Sequence, residues 1–183
     1  MITELETKGI VADVPAETYH ARKVGIASKS ALDQINRSPA HYLAWLESPS
    51  EETAAMRIGK LFHLYTLETA KALSEIVAMP HFGDGRTKAA KEAKAEWLAE
   101  HDGKTFIDAD EWDQIRRMGD AVHKHPIASR LLESCSPEVS VYWQDAETGL
   151  QCKSRVDGWC ESLRMILDLK TTQDASEREF ARS

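Results

Sequence analysis

Up to about Glu133 the apolar residues recur at helical spacing; beyond it the period falls to two. Ser28 or Ser30 can cap a helix through residues 31–35, and Ser38-Pro39 opens a second, with Pro39 tolerated in the first turn. Tyr42, Leu43, Trp45 and Leu46 suit a packed face of that second helix, which Ser48-Pro49-Ser50 breaks. A long helix is predicted from Glu51 to about Thr66, with Met56, Leu61, Leu64 and Tyr65 available for burial. Residues 80–86 (PHFGDGR) read as a loop, and residues 88–101 as a solvated helix. Asp108 or Asp110 caps the next helix, which runs through Trp112, Ile115, Met118 and Val122. Pro126 ends or restarts it, and residues 127–132 form a further short helix.

Residues 138–143 (EVSVYW) alternate and are rich in β-formers, and residues 145–149 make a turn. Residues 150–159 alternate again: Leu150, Cys152, Ser154 and Val156 share one face, Gln151, Lys153, Arg155 and Asp157 the other. After a turn at Glu161-Ser162 comes a short apolar run, residues 165–170, interrupted by Asp168 and Lys170. Three strands joined by short turns predict an antiparallel meander, and Asp174 or Ser176 begins a last helix. The expected fold class is α+β: a mainly antiparallel central sheet flanked by helices, behind a helical N-terminal part.

Composition narrows the picture without deciding it. With 183 residues, 42% hydrophobic and 29% charged, the chain suits one globular domain with a real core rather than a disordered segment. No apolar run approaches the roughly 20 residues of a membrane helix, and the acidic, mixed N-terminus is unlike a signal peptide. A formal net charge of −7 argues against a generic DNA-coating protein. It is compatible with a site that holds divalent cations, because such a site needs carboxylates and only its groove must be positive. Cys135, Cys152 and Cys160 cannot all pair with one another, and reduced thiols in a cytoplasmic protein are the simplest expectation. Three scattered cysteines do not suffice for an iron–sulfur cluster.

The candidate chemistry lies in the second half. Asp157 precedes Asp168 by eleven positions, and Lys170 follows two later, so on a continuous strand Asp168 and Lys170 point to one face. A carboxylate and an amine inside an otherwise buried strand (Ile166, Leu167, Leu169) need pairing or a ligand, and a hard cation compensates carboxylates. Phosphodiester hydrolysis uses this set: carboxylates hold Mg²⁺, and a lysine positions or helps deprotonate the attacking water. A buried Asp–Lys ion pair without a catalytic role is the alternative. Gly158 lets backbone or substrate come close to Asp157. Glu138 opens the preceding strand, as a third carboxylate or as an edge charge in solvent. Gly59 and His63 share one face of the long helix, where His63 is a ligand or a satisfied buried histidine. Lys153 and Arg155 share the face of Asp157, either as phosphate donors or as charge balance for the carboxylates.

In this order, Gly59-Lys-Leu-Phe-His63, Pro137-Glu138-Val-Ser-Val, Cys152-Lys-Ser-Arg-Val-Asp157-Gly158 and Leu167-Asp168-Leu-Lys170-Thr171-Thr172 resemble the RecB/RecE-like branch of the PD-(D/E)xK nucleases. The nearest likeness is to the RecE-type exonuclease (exonuclease VIII) catalytic domain. The entry segments Ser28-Lys-Ser-Ala-Leu and Ser38-Pro-Ala-His-Tyr fit it too, so the resemblance covers nearly the whole chain. It implies a restriction-endonuclease-like core in which His63, Asp157, Asp168 and the backbone carbonyl of Leu169 bind Mg²⁺, or Mn²⁺ in its place. Glu138 would assist through a second metal or a water, and Lys170 would orient the nucleophile. Arg57, Lys60 and Thr171, with Lys153 and Arg155, would contact DNA. The resemblance further implies processive 5′ to 3′ degradation of linear double-stranded DNA, a ring-shaped tetramer, and a single-strand annealing protein as partner in phage-type recombination. The family carries a Gln-x-x-x-Tyr helix after the D-x-K strand. Gln173 comes too early to supply it, so a single domain over 1–183, truncated before that helix, is expected.

Two other classes compete. One is a catalytically inactive DNA-end-binding or assembly module of the same fold; the other is a structural protein with a buried ion-pair network. Lys88, Lys91 and Lys94 read as a solvated helix face and His123 and His125 as helix-end residues, rather than as sites.

Overall fold

The computed structural model describes residues 8–48 and 52–181. The chain begins with β1 (Gly9–Val11), α1 (Ala16–His20), β2 (Ile26–Ala27), α2 (Lys29–Arg37) and α3 (Pro39–Glu47). It continues through α4 (Ala54–Leu67), α5 (Thr69–Glu75), β3 (Ile76–Met79), α6 (Lys88–Glu100), β4 (Thr105–Asp108), α7 (Ala109–Lys124) and α8 (Pro126–Glu133). Last come β5 (Ser136–Gln144), β6 (Gln151–Cys160), β7 (Met165–Leu167) and α9 (Glu177–Phe180). Mixed helix and strand fit the α+β class. Among the described residues no helix is long and apolar enough to cross a membrane.

Side-chain caps set most helix starts. Ser28 accepts the Ala31 N–H, Ser38 the His41 N–H, Asp108 the Asp110 N–H and Ser176 the Glu179 N–H. The choices left open between Ser28 and Ser30, Asp108 and Asp110, and Asp174 and Ser176 are thereby made. Thr53 caps α4 through the Met56 N–H. The expected break at Pro49-Ser50 and the expected helix start at Glu51 lie outside the described residues. Leu43 and Met56, expected to pack, are exposed.

The chain divides into two compact units: Met1–Glu52 with Leu131–Leu169, and Thr53–Arg130 with Lys170–Ser183. The first is built on a sheet of order β1-β5-β6-β2, with β7 also paired to β6. The antiparallel meander β5-β6-β7 is as the alternation predicts. β2 joins the start of β6 in parallel, Ile26 opposite Gln151. The alternating faces of β6 are polarised unexpectedly: Gln151 and Lys153 are buried, whereas Leu150, at the apolar end, is exposed. The buried face continues across β5 with Tyr142 opposite Lys153 and Ser140 opposite Arg155. Cys135 and Cys160 form a disulfide across the outer end of this pair, with Cα atoms 4.3 Å apart. That corrects the expectation of three reduced thiols: a constant ladder register places the two side by side, leaving Cys152 as the free cysteine among the described residues.

In the second unit α4 packs on α7 at Gly119, where an added Cβ would meet the Tyr65 ring and Thr66 Oγ1. Tyr65 lies edge-on to Trp112 and donates its hydroxyl to Asp120 at 2.8 Å. β3 and β4, which the helical reading of the first part did not predict, form a separate two-stranded parallel sheet. Arg57, from the first turn of α4, donates to the Phe106 carbonyl of β4 at 2.6 Å. Trp97 anchors the otherwise solvated α6 against Phe82, Phe106 and His101.

Candidate metal centre

Two carboxylates meet on the buried face of the β5–β6 pair. Ladder partners are Pro137 with Gly158 and Val139 with Val156, so Glu138 stands opposite Asp157. At Glu138 the backbone leaves the extended conformation, with φ at 52°. A left-handed conformation costs a non-glycine residue roughly 1–2 kcal/mol, and like charges directly opposed across strands cost about 0.2–1 kcal/mol more. Both penalties fall on the same residue. A carboxylate oxygen of Glu138 lies within 4.8 Å of one of Asp157, and both residues are half-buried. Such a pair of hard oxygen donors matches what a divalent cation requires.

The neighbours fix these oxygens. Asp157 Oδ2 accepts the Leu169 N–H at 2.6 Å, which ties the chain beyond β7 back to β6. Gly158 is closely hemmed, because a Cβ there would lie 3.1 Å from Leu167 Cβ and 3.3 Å from Cys135 Cβ. The close approach expected at this glycine is therefore by protein atoms. Arg155 Nη1 lies 4.0 Å from Glu138 Oε2, and its side chain is only 8% exposed.

The two cations of β6 are turned inward. Lys153, 7% exposed, donates to the Tyr19 carbonyl and, at 3.1 Å, to that of Ala21. Arg155 donates to Ser140 Oγ at 3.0 and 2.9 Å and to the Val14 carbonyl at 2.6 Å, and its guanidinium lies 4.3 Å from the Tyr19 ring centroid. Lys153 thereby tethers the N-terminal segment, and Arg155 does so while standing beside the Glu138 carboxylate. Burial pushes the Tyr19 phenol above its ordinary value, against the lowering influence of Arg155.

The D-x-K segment departs from its expected setting. β7 ends at Leu167, so Asp168, Leu169 and Lys170 follow the strand instead of extending it. Met165 and Ile166 are 41% and 56% exposed, and Asp168 and Lys170 are exposed as well. The buried strand predicted there is thus corrected: β7 pairs only with β6, over three residues, and neither of its faces is sealed. Among the described residues, Asp168 does not bring an oxygen within 4.8 Å of both Glu138 and Asp157. In the second unit His63 is half-buried on α4, one turn beyond Gly59. A Cβ at Gly59 would meet Thr171 Oγ1 at an ordinary 3.6 Å, so close packing does not demand this glycine. Lys60 and Thr171 are exposed, while Arg57 is engaged by Phe106. Sequence reasoning gave Glu138 an assisting part; the signal that raises its standing, a left-handed φ, is absent from the sequence.

Residues 28–183 match the family described as a PDDEXK-like domain of unknown function (DUF3799). The chain belongs to that family, and so has a fold of the PD-(D/E)xK nuclease type. No curated protein matches it.

Proposed function

We propose that this protein is a divalent-cation-dependent deoxyribonuclease that hydrolyses phosphodiester bonds from the ends of linear double-stranded DNA. The observation that carries the reading is the opposition of Glu138 and Asp157, with Glu138 held in a left-handed conformation. Strained backbone and unfavourable charge pairs collect at functional sites. In this reading Asp157, Glu138, Asp168, the Leu169 carbonyl and His63 from the second unit hold Mg²⁺, for which Mn²⁺ substitutes. Once bound, the cation supplies Lewis acidity at the scissile phosphate. Lys170 orients the attacking water by donating from its ammonium to the water oxygen, and the proton released on attack passes to bulk solvent. Lys60 and Thr171 contact backbone phosphates, with Arg57 shaping the surface between them. The motif order further suggests 5′ to 3′ polarity, a ring-shaped tetramer and a single-strand annealing partner in phage-type recombination.

The test is degradation of end-labelled linear duplex with Mg²⁺, beside covalently closed circular duplex and an EDTA control. Loss of label from the linear form alone is expected, with Mn²⁺ binding detected by calorimetry and abolished in H63A. Asp168→Ala should abolish cleavage without lowering Tm, because Asp168 is exposed. Cleavage retained in D168A overturns the assignment. The exposure of Asp168 beyond the end of β7 favours a second reading, an inactive DNA-end-binding module. That reading requires Mn²⁺ binding and end binding without label release.

A further inference from the structure

The carboxylate pair is not left to a metal alone. Arg155 sits on the same strand face as Asp157, two residues away, and beside Glu138. An arginine is charged at every working pH, and its planar fork fixes a direction. Three of its contacts aim that fork: Ser140 Oγ, the Val14 carbonyl and the Tyr19 ring. Ser140 is itself fully buried, so the anchor is rigid. Val14 and Tyr19 lie before residue 28, outside the span that matches the family. The same segment takes the ammonium of Lys153 on the Tyr19 and Ala21 carbonyls.

From this geometry we infer that Arg155, braced by the Val14–Ala21 segment, is a positioning residue of the metal centre. Its guanidinium is a resident positive charge that holds Glu138 in place opposite Asp157 when no cation is bound. The inference rests on the cation-binding reading above and adds a second positive charge to it. The metal-free pair then stays assembled, and an incoming cation must share the carboxylates with the guanidinium. Removing that charge while keeping its bulk has two effects of opposite sign. The metal-free protein loses stability, and the divalent cation binds more tightly because a like charge has left. A residue that merely packs would lower stability equally with and without metal.

The experiment compares wild type, R155M, R155K and Y19L, each in EDTA and in Mn²⁺, by thermal unfolding and Mn²⁺ calorimetry. Expected is a lower Tm for R155M in EDTA, a larger Mn²⁺-induced rise than in wild type, and Mn²⁺ affinity about tenfold tighter. R155K should sit close to wild type, and Y19L, which keeps the charge but loses the ring beneath it, between wild type and R155M. Equal Tm losses with and without Mn²⁺, or weaker Mn²⁺ binding in R155M, overturn the inference. If wild type shows no response to Mn²⁺, it is the metal reading that fails. The inference is then decided in EDTA alone by combining each Arg155 variant with E138Q. The Tm penalty must shrink on the E138Q background, and an undiminished penalty refutes it. Should R155M not fold, Y19L carries the same comparison, with R155K as the charge-preserving control.

Discussion

Replacing Glu138 with glycine separates what the residue does for the fold from what it does for the site. Relief of the left-handed backbone at φ 52° is worth roughly 1–2 kcal/mol. Relief of the like-charge opposition to Asp157 adds about 0.2–1 kcal/mol. Against these stand the greater freedom of glycine in the unfolded chain, about 0.5–1 kcal/mol, and the loss of the 4.0 Å pairing with Arg155. That pairing is discounted to at most about 1 kcal/mol because the Glu138 side chain is 36% exposed. The central values sum to a gain of about 0.8 kcal/mol, within a span from a loss of about 0.8 to a gain of about 2.5 kcal/mol, so Tm should hold or rise by a few degrees at about 2–4 °C per kcal/mol. Mn²⁺ affinity moves the other way, by at least about 100-fold, since losing even an outer-shell partner of a metal site costs about 10–100-fold. The assay is thermal unfolding in EDTA beside calorimetric Mn²⁺ titration. A Tm that falls in EDTA by more than about 3 °C, or Mn²⁺ binding that persists unchanged in E138G, refutes the claim that Glu138 is kept there for a ligand.

Gly119→Ala should destabilise the protein, because the new Cβ falls 2.8 Å from Tyr65 Cε1 and closer still to Cδ1, while the Tyr65 hydroxyl is fastened to Asp120. Overpacking of about 1–3 kcal/mol, less a helix-propensity gain of up to about 1 kcal/mol, leaves a deficit readable by urea denaturation. Cys160→Ser should lower stability by about 3 kcal/mol under non-reducing conditions, since the bond closes a separation of 25 residues; with dithiothreitol the two proteins should unfold together. Tyr65 has its hydroxyl pushed above the ordinary 10.0, first by burial and then by its bond to Asp120. A raised folded value stabilises fully below pH 10 and is lost as pH rises through it, so stability should decline above pH 10, and Tyr65→Phe should flatten that decline.

How much of this was legible in the sequence depends on how far each residue's partners lie along it. Ser28, Ser38 and Asp108 find theirs within three residues, so those helix starts could be read to within two residues, Ser38 outright. The meander β5-β6-β7 was legible because alternation and short turns are local. β3 and β4 were not: four-residue strands carry too little periodicity to stand out from the helices around them. Lys153 and Arg155 were visible as cations on the face of Asp157, but their partners Tyr19, Ala21 and Val14 lie 134, 132 and 141 positions away. Nothing local reveals that they turn inward. The D-x-K spacing was read as strand alternation, yet pairing with β6 stops at Leu167. The order of the motifs reached the superfamily all the same, because order survives errors in local geometry.

The hydrogen bond from the Leu169 N–H to Asp157 bears on how inactive variants should be chosen. Alanine at position 157 would unfasten the stretch that leads into Lys170 as well as removing a carboxylate. A silent D157A variant would confound two lesions, a lost carboxylate and a loosened Leu169. E138Q leaves that tether alone, which makes it the cleaner blank for trapping DNA on an intact framework.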